Sequence, residues 1–131
     1  VEEDFKNNNL NTKWTQINSS LSFDESTLRG LHFQYPPFSQ IKLIRVIQGS
    51  IFDVIVDIRP KSETFGKYFF CVLNENNNKM LYISNGFAHG FITMEKKLMR
   101  ATHNQMPGTT QLNRQKLINQ RLIISSRARW T

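Results

Sequence analysis

The run from Ile41 to Arg59 constrains this chain more than any other segment, because it alternates almost without interruption. Phe52, Val54, Val56 and Ile58 interleave with Asp53, Ile55, Asp57 and Arg59. Just before them, Ile41, Leu43, Arg45 and Ile47 share one face, and Lys42, Ile44 and Val46 the other. A period of two belongs to strands with two unlike faces, and such strands must pack against something. Gln48-Gly49-Ser50, between the two runs, reads as a tight hairpin connection. KYFFCVL, KMLYI and FAHGFITM read as further strands, separated by a polar turn at Asn74 to Asn78 and by Asn85-Gly86. Pro36-Pro37 breaks the chain after a strand that holds Leu28 to Gln34. Short strands spaced by roughly 8–12 residues predict an all-β antiparallel sandwich or barrel. No amphipathic helix is expected before about residue 110, and QLNRQKLINQRLII beyond Pro107 suits a short helix or a final strand equally.

At 131 residues the chain is expected to form one domain over residues 1–131. Ten phenylalanines favour packed sheets over a helical bundle. No apolar run reaches the roughly 18 residues that span a membrane, and VEEDFKNNN is no signal peptide. The start at Val1 suggests a trimmed chain. Cys71, the lone cysteine, reads as an inert buried thiol in a strand, in line with a reducing cytosol. The net charge of +7 is spread along the chain rather than gathered into a basic tract. Diffuse basicity suits a phosphate-bearing small ligand, and no nucleic-acid partner is expected.

Chemistry concentrates between Leu28 and Lys42. Alternation puts Leu28, Gly30, His32 and Gln34 on one face and Arg29, Leu31 and Phe33 on the other, unless the chain bulges at Gly30. His32 either lines a cavity or is a satisfied structural histidine. Lys42 sits in a strand, where an inward ammonium is costly unless a ligand or carboxylate meets it. Asp53 and Asp57 could be those carboxylates; otherwise all three face solvent. His89, with His32 and Gln34, has the two-motif layout of the metal-binding cupins. Only two imidazoles and no glutamate are present, too few for a tight transition-metal site, so no metal and no cofactor are expected. His103 has no evident partner and reads as a surface residue. Phosphate loops, dinucleotide fingerprints and nucleophile elbows are absent from the sequence.

The strings TQINSS, LRGLHFQYPPFSQIKLIRVIQGSIFDVIVDIR, TFGKYF and LYISNGFAHGF closely resemble the dTDP-4-dehydrorhamnose 3,5-epimerase family, from about Trp14 to Phe91. The resemblance implies a cupin-like jelly roll, a homodimer in the cytoplasm, and a nucleotide-linked 4-keto-6-deoxyhexose as substrate. It implies His32 as the base that removes the proton next to the ketone, and Lys42 as the stabiliser of the enolate. Arg29 and His89 would contact the substrate and its diphosphate side; Gln34, Gln16 and Asn18 are further candidates for substrate contact. A neutral imidazole beside an ammonium suits that chemistry on its own terms.

The sequence departs from the family in its last third. The family's proton-donating tyrosine lies in a strand soon after GFAHGF; here Thr102 and Pro107 hold the register, and it lands on Met99. The paired aromatic positions that follow become Asn104 and Gln105. The aspartate that orients the family's histidine would fall at Arg127 or Ala128, before Trp130. The family's N-terminal strand, exchanged across its dimer, is absent or truncated. A water, or a tyrosine reaching in from elsewhere such as Tyr35 or Tyr82, is the candidate to replace the missing acid. A catalytically impaired homologue that binds sugar nucleotides without efficient turnover is the alternative function.

Overall fold

The computed structural model describes residues 2–10 and 13–105 in full, and the backbone of two later strands. A short helix, α1 (Glu2–Asn7), precedes eight strands. They are β1 (Gln16–Ser22), β2 (Leu28–His32), β3 (Ile41–Gln48), β4 (Ser50–Asp57), β5 (Tyr68–Asn74), β6 (Lys79–Ile83), β7 (Phe87–Thr93) and β8 (Leu98–Gln105). The two later strands are β9 (Lys116–Asn119) and β10 (Leu122–Ile124), so the segment that suited helix or strand equally is strand there. One sheet has the order β1-β8-β3-β6-β9-β10 and the other β2-β7-β4-β5. Every pairing is antiparallel. From β1 to β8 the chain changes sheet at every connection except β4–β5, which makes the sandwich an all-β jelly roll of the expected class. No helix among the described residues is long and apolar enough to cross a membrane.

The Gln48-Gly49-Ser50 connection is a corner rather than the expected hairpin. β3 bonds to β6 and β8, whereas β4 bonds to β5 and β7, so the two alternating runs lie in opposite sheets. Gly49 makes the corner with φ +87°, and a Cβ there would sit 3.1 Å from the Lys97 carbonyl oxygen. Local pattern cannot tell a hairpin from a corner, because both need only a short flexible link between two strands.

Between the sheets lies an aliphatic core that includes Ile44, Val46, Ile51, Ile55, Leu73, Leu81 and Leu98. Each such side chain contributes about 1.5–3 kcal/mol when removed from water. Cys71 packs at the margin of this core, and burial, with help from the Asp53 charge, pushes its thiol up to about 12. The thiol is half-buried rather than fully buried, on the strand where it was expected. The opposite face of β3 is also covered. Ile41 and Leu43 pack with Phe5, Leu10 and Tyr82, and Trp14 closes the cluster edge-on at 6.4 Å from Phe5 and 6.3 Å from Tyr82. Helix α1 was not expected. It has six residues and buries only Phe5, too short for a helical period to register, and tertiary packing holds it. His103 is half-buried in this cluster with its ring 5.9 Å from Trp14, not on the surface as its isolation in sequence suggested.

β4 turns its aspartates inward. Ile51, Asp53, Ile55 and Asp57 are almost fully buried, while Phe52, Val54 and Val56 face partly outward. Asp57 therefore meets neither solvent nor Lys42. It accepts hydrogen bonds from Arg59 Nε at 3.0 Å and a guanidinium Nη at 2.7 Å, and from the Ser62 and Thr64 hydroxyls at 2.6 Å. Burial alone would raise its pKa, but the bonds from Arg59, Ser62 and Thr64 outweigh this and hold the carboxyl well below the usual carboxylate range. The unfolded chain thus binds this proton more readily than the fold does. Its stabilising contribution is full above the ordinary carboxylate pKa of about 4 and is lost as pH falls below it. Asp57→Asn should cost about 3 kcal/mol in denaturant unfolding at pH 7. The gap between wild type and variant should narrow as pH drops from 5 to 3; a constant gap would show that the charge is not what matters.

Candidate functional site

The site begins with a bulge. Arg29 pairs with Phe91 and His32 with His89, so three steps along β2 span two along β7. Gly30 absorbs the extra residue at φ +105°, and a Cβ there would lie 2.6 Å from both the Gly90 Cα and the His89 carbonyl oxygen. A Cβ on Gly90 would in turn lie 3.0 Å from the Arg29 carbonyl oxygen. The two backbones approach this closely only because both residues are glycine. Strict alternation placed Arg29 and His32 on opposite faces. The bulge reverses the phase, so that both share the face of Phe91 and His89, which is the inner one.

His89 is buried and faces Asp53, whose side chain is fully buried. His89 Nε2 stands 2.9 Å from Asp53 Oδ1 and 3.1 Å from Oδ2, with its hydrogen bond directed at Oδ2. The carboxylate selects the tautomer that carries hydrogen on Nε2 and leaves Nδ1 as an acceptor. Asp53 is thus a partner of His89, a pairing invisible to local sequence because the two lie 36 residues apart. Its field also reaches Lys42. Burial lowers the Lys42 pKa most and the Arg100 charge lowers it further, while Asp53 offsets part of the loss.

Lys42, His89, Asn18, Arg100, Thr102 and Asn104 line a cavity of about 210 Å³ between the sheets. Lys42 and His89 also border a smaller hollow with Gln34. Gln16 pairs with Asn104 in register and donates from Nε2 to Asn18 Oδ1 at 3.1 Å. Of the residues singled out in sequence, Lys42, His89, Gln34 and Asn18 line these hollows. Arg29 and His32 line neither hollow; they lie on the exposed β2, in register with Phe91 and His89, and Gln16 bonds to Asn18 at the rim.

Arg100 went unnoticed in the sequence. Its signal was the alternation of β8, in which Leu98, Arg100, Thr102 and Asn104 share the inner face. Met99 belongs to the opposite face. The residue aligned with the family's tyrosine therefore does not face the cavity, and its neighbour does. Tyr82 is excluded as a replacement acid, being buried in the cluster on the far side of its sheet. Tyr35 is exposed and lines a separate hollow with Phe33, Gln34 and Arg59. Arg127 and Ala128 lie outside the described residues.

Chemically, the cavity wall holds a carboxylate-paired imidazole (His89) and two half-buried cations (Lys42 and Arg100), and the neighbouring exposed strand β2 adds a second imidazole and a guanidinium (His32 and Arg29). That set can take a proton and hold developing negative charge. The sequence profile of dTDP-4-dehydrorhamnose 3,5-epimerase matches residues 1–113. The chain belongs to that family. A dTDP-4-dehydrorhamnose 3,5-epimerase of Sinorhizobium fredii is 45% identical over 94 residues, covering 72% of this chain and 48% of the relative. The crystal structure of the Bacillus anthracis dTDP-4-dehydrorhamnose 3,5-epimerase, with TDP and PPi bound, superposes with a TM-score of 0.78 at 35% identity, covering 84% of this chain and 63% of that one. A Legionella pneumophila dTDP-6-deoxy-D-glucose-3,5-epimerase in complex with dTDP-4-keto-L-rhamnose gives a TM-score of 0.75 at 33% identity, over 83% of this chain and 57% of that one. The chain spans about half the length of the curated relatives it matches.

The bulge makes a testable link between backbone and site. Gly30→Ala must relieve both a positive φ and the 2.6 Å approach to β7, so β2 has to move. A cost of about 1–3 kcal/mol is expected for the strain. Ligand-induced NMR shifts at His32 and Arg29 should be lost while those of α1 and β6 stay in place. Unchanged shifts at His32 would mean that the close approach does not set the site.

Proposed function

We propose that this chain is an epimerase of a nucleotide-linked 4-keto-6-deoxyhexose, in the dTDP series, working in deoxysugar biosynthesis of the rhamnose type. The observation that carries the reading is the cavity's charge. One buried carboxylate, already paired with His89, stands among Lys42, Arg29 and Arg100, so the cavity calls for an anion. A sugar nucleotide brings a permanent one in its diphosphate and a transient one in its enolate.

In this reading, the ketone at C4 acidifies the protons at C3 and C5. His32, at the exposed edge strand where substrate enters, takes the proton from C3, C5 or both. Electrons from the broken C–H bond move onto the ketone oxygen, where Lys42 stabilises the enolate. The lowered pKa of Lys42 serves this role, since a poorly solvated ammonium gains more from an arriving oxyanion than a hydrated one. Asp53 keeps the ammonium charged and holds His89 toward the substrate. A water at the opposite face, in place of the family's tyrosine, returns a proton and inverts the carbon, and His32 passes the proton it took to solvent. Arg29, Gln34, His89, Gln16 and Asn18 bind the substrate. The protein works as a single cupin-like domain over residues 1–131, in the cytosol and as a homodimer, since partnering covers the edge strand β2.

Incubation with dTDP-4-keto-6-deoxyglucose in D₂O, followed by NMR, tests the reading. Deuterium should enter next to the ketone and inverted product should accumulate. His32→Ala should slow both by about 10²–10⁴-fold with the fold intact, as expected for loss of a general base. Wild-type rates in that variant would remove His32 from the role. Failure of the unmodified protein to exchange any proton would remove the epimerase reading itself.

A further inference from the structure

Arg100 is the one inward-facing cation that the family resemblance leaves without a task. Its guanidinium carbon lies 4.1 Å from the centre of the Phe91 ring. Phe91 pairs in register with Arg29 on one side and with Asp53 on the other. Arg29, exposed on β2, and Arg100, half-buried on β8, thus flank the Phe91 ring from opposite sheets, close enough for the Arg29 charge to act on Arg100. Burial disfavours the charged form of Arg100 most; Asp53 offsets part of this, and the Arg29 charge adds to it. Among the described residues Arg100 makes no salt bridge, and its buried Nε has no hydrogen-bond partner. Arg59 offers the contrast: it also lies over a ring, that of Phe87 at 4.6 Å, but Asp57 fully engages its fork. Two guanidinium groups converging on one level, with the nearest carboxylate already bonded to His89, leave a place that a multiply charged anion fits.

We propose that Arg100 is an anion-binding residue of the cavity, opposing Arg29 and gripping the diphosphate of a sugar-nucleotide ligand. The inference rests on the epimerase reading for the ligand's identity, but not for the anion site itself. A guanidinium stays protonated, so Arg100 does not stand in for the family's tyrosine as a proton donor. What it offers is a planar fork that matches two phosphate oxygens at once. Binding the anion would satisfy the orphaned Nε and quench the repulsion between the two arginines.

The test titrates inorganic diphosphate and thymidine separately into wild type, Arg100→Gln and Arg100→Lys, by calorimetry at fixed low salt. Arg100→Gln should weaken diphosphate binding by about 10–100-fold, the range for one charge-assisted contact, and leave thymidine untouched. Arg100→Lys should recover part of the loss, as a point charge without the fork. Without ligand, Arg100→Gln should melt no lower than wild type, because it removes an unpaired desolvated cation. Equal diphosphate affinity in wild type and Arg100→Gln would overturn the inference. So would parallel loss of diphosphate and thymidine with a lowered melting temperature, which marks a structural role, or no diphosphate binding by wild type. Turnover separates the two readings. A wild type that binds diphosphate through Arg100 but never inverts the sugar sinks the epimerase reading alone. One that inverts it with KM unchanged in Arg100→Gln sinks this inference alone.

Discussion

A carboxylate with no solvent exposure sets the terms for this interior. Asp53 sits in a strand whose other inward residues include Ile51 and Ile55, beside the aliphatic core between the two sheets. Removing such a charge from water costs several kcal/mol unless positive charge and hydrogen bonds meet it. His89 supplies the hydrogen bond, and the fields of Lys42 and Arg100 act on the same carboxylate. The orientation of His89 and its tautomer follow from that one residue, which also offsets part of the loss that burial and Arg100 impose on Lys42. Asp57, four positions on, shows the alternative solution: an arginine and two hydroxyls close around it and nothing is left for chemistry. The same strand thus carries one saturated carboxylate that pins a loop and one under-saturated carboxylate that organises a cavity.

Much of this was legible in the sequence, and the rest was hidden for identifiable reasons. The two faces of β3 read correctly because each strand residue reports its own side. The inward Lys42 read as a problem in need of a partner, which it is. Three features did not read. The corner at Gly49 looked like a hairpin because turn chemistry specifies a bend, not which sheet the next strand joins. The phase of Arg29 depended on whether Gly30 bulged, and that is decided by contact with Gly90, 60 residues away, through the close approach of two backbones. Helix α1 shows no period because one buried phenylalanine is its whole apolar face. In the first two cases local pattern was sufficient for the element and silent on its neighbour; in the third it was too short to show the element at all.

The difference between Met99 and Arg100 shows how much turns on a single residue of phase. Matching letters around Thr102 sets methionine against the family's tyrosine. Pairing in the sheet sets Arg100 opposite Ser20 and Val46, with Met99 opposite Leu21 and Gln48, where β3 carries an irregularity. In a strand, a shift of one position exchanges the inner face for the outer. What the cavity holds at this level is therefore not an apolar gap but a cation. The loss of a phenol is a loss of a transferable proton; the gain of a guanidinium is a gain in affinity for negative charge, which are different contributions to a reaction through an enolate.

Without a ligand, the cavity is electrostatically unsatisfied by construction. The Arg100 charge lowers the affinity of Lys42 for its proton, and the Arg29 charge does the same to Arg100. A fold under pressure for stability alone would replace one of these cations by an apolar side chain, since an unpaired desolvated charge is among the more costly things to bury. Its retention is intelligible if an anion visits the site and is bound more tightly for the repulsion it relieves. The apolar core at Ile44, Val46, Ile51 and Leu73 carries the stability that this arrangement gives up, and the glycine contact between β2 and β7 sets His32 in register with His89 on the exposed β2.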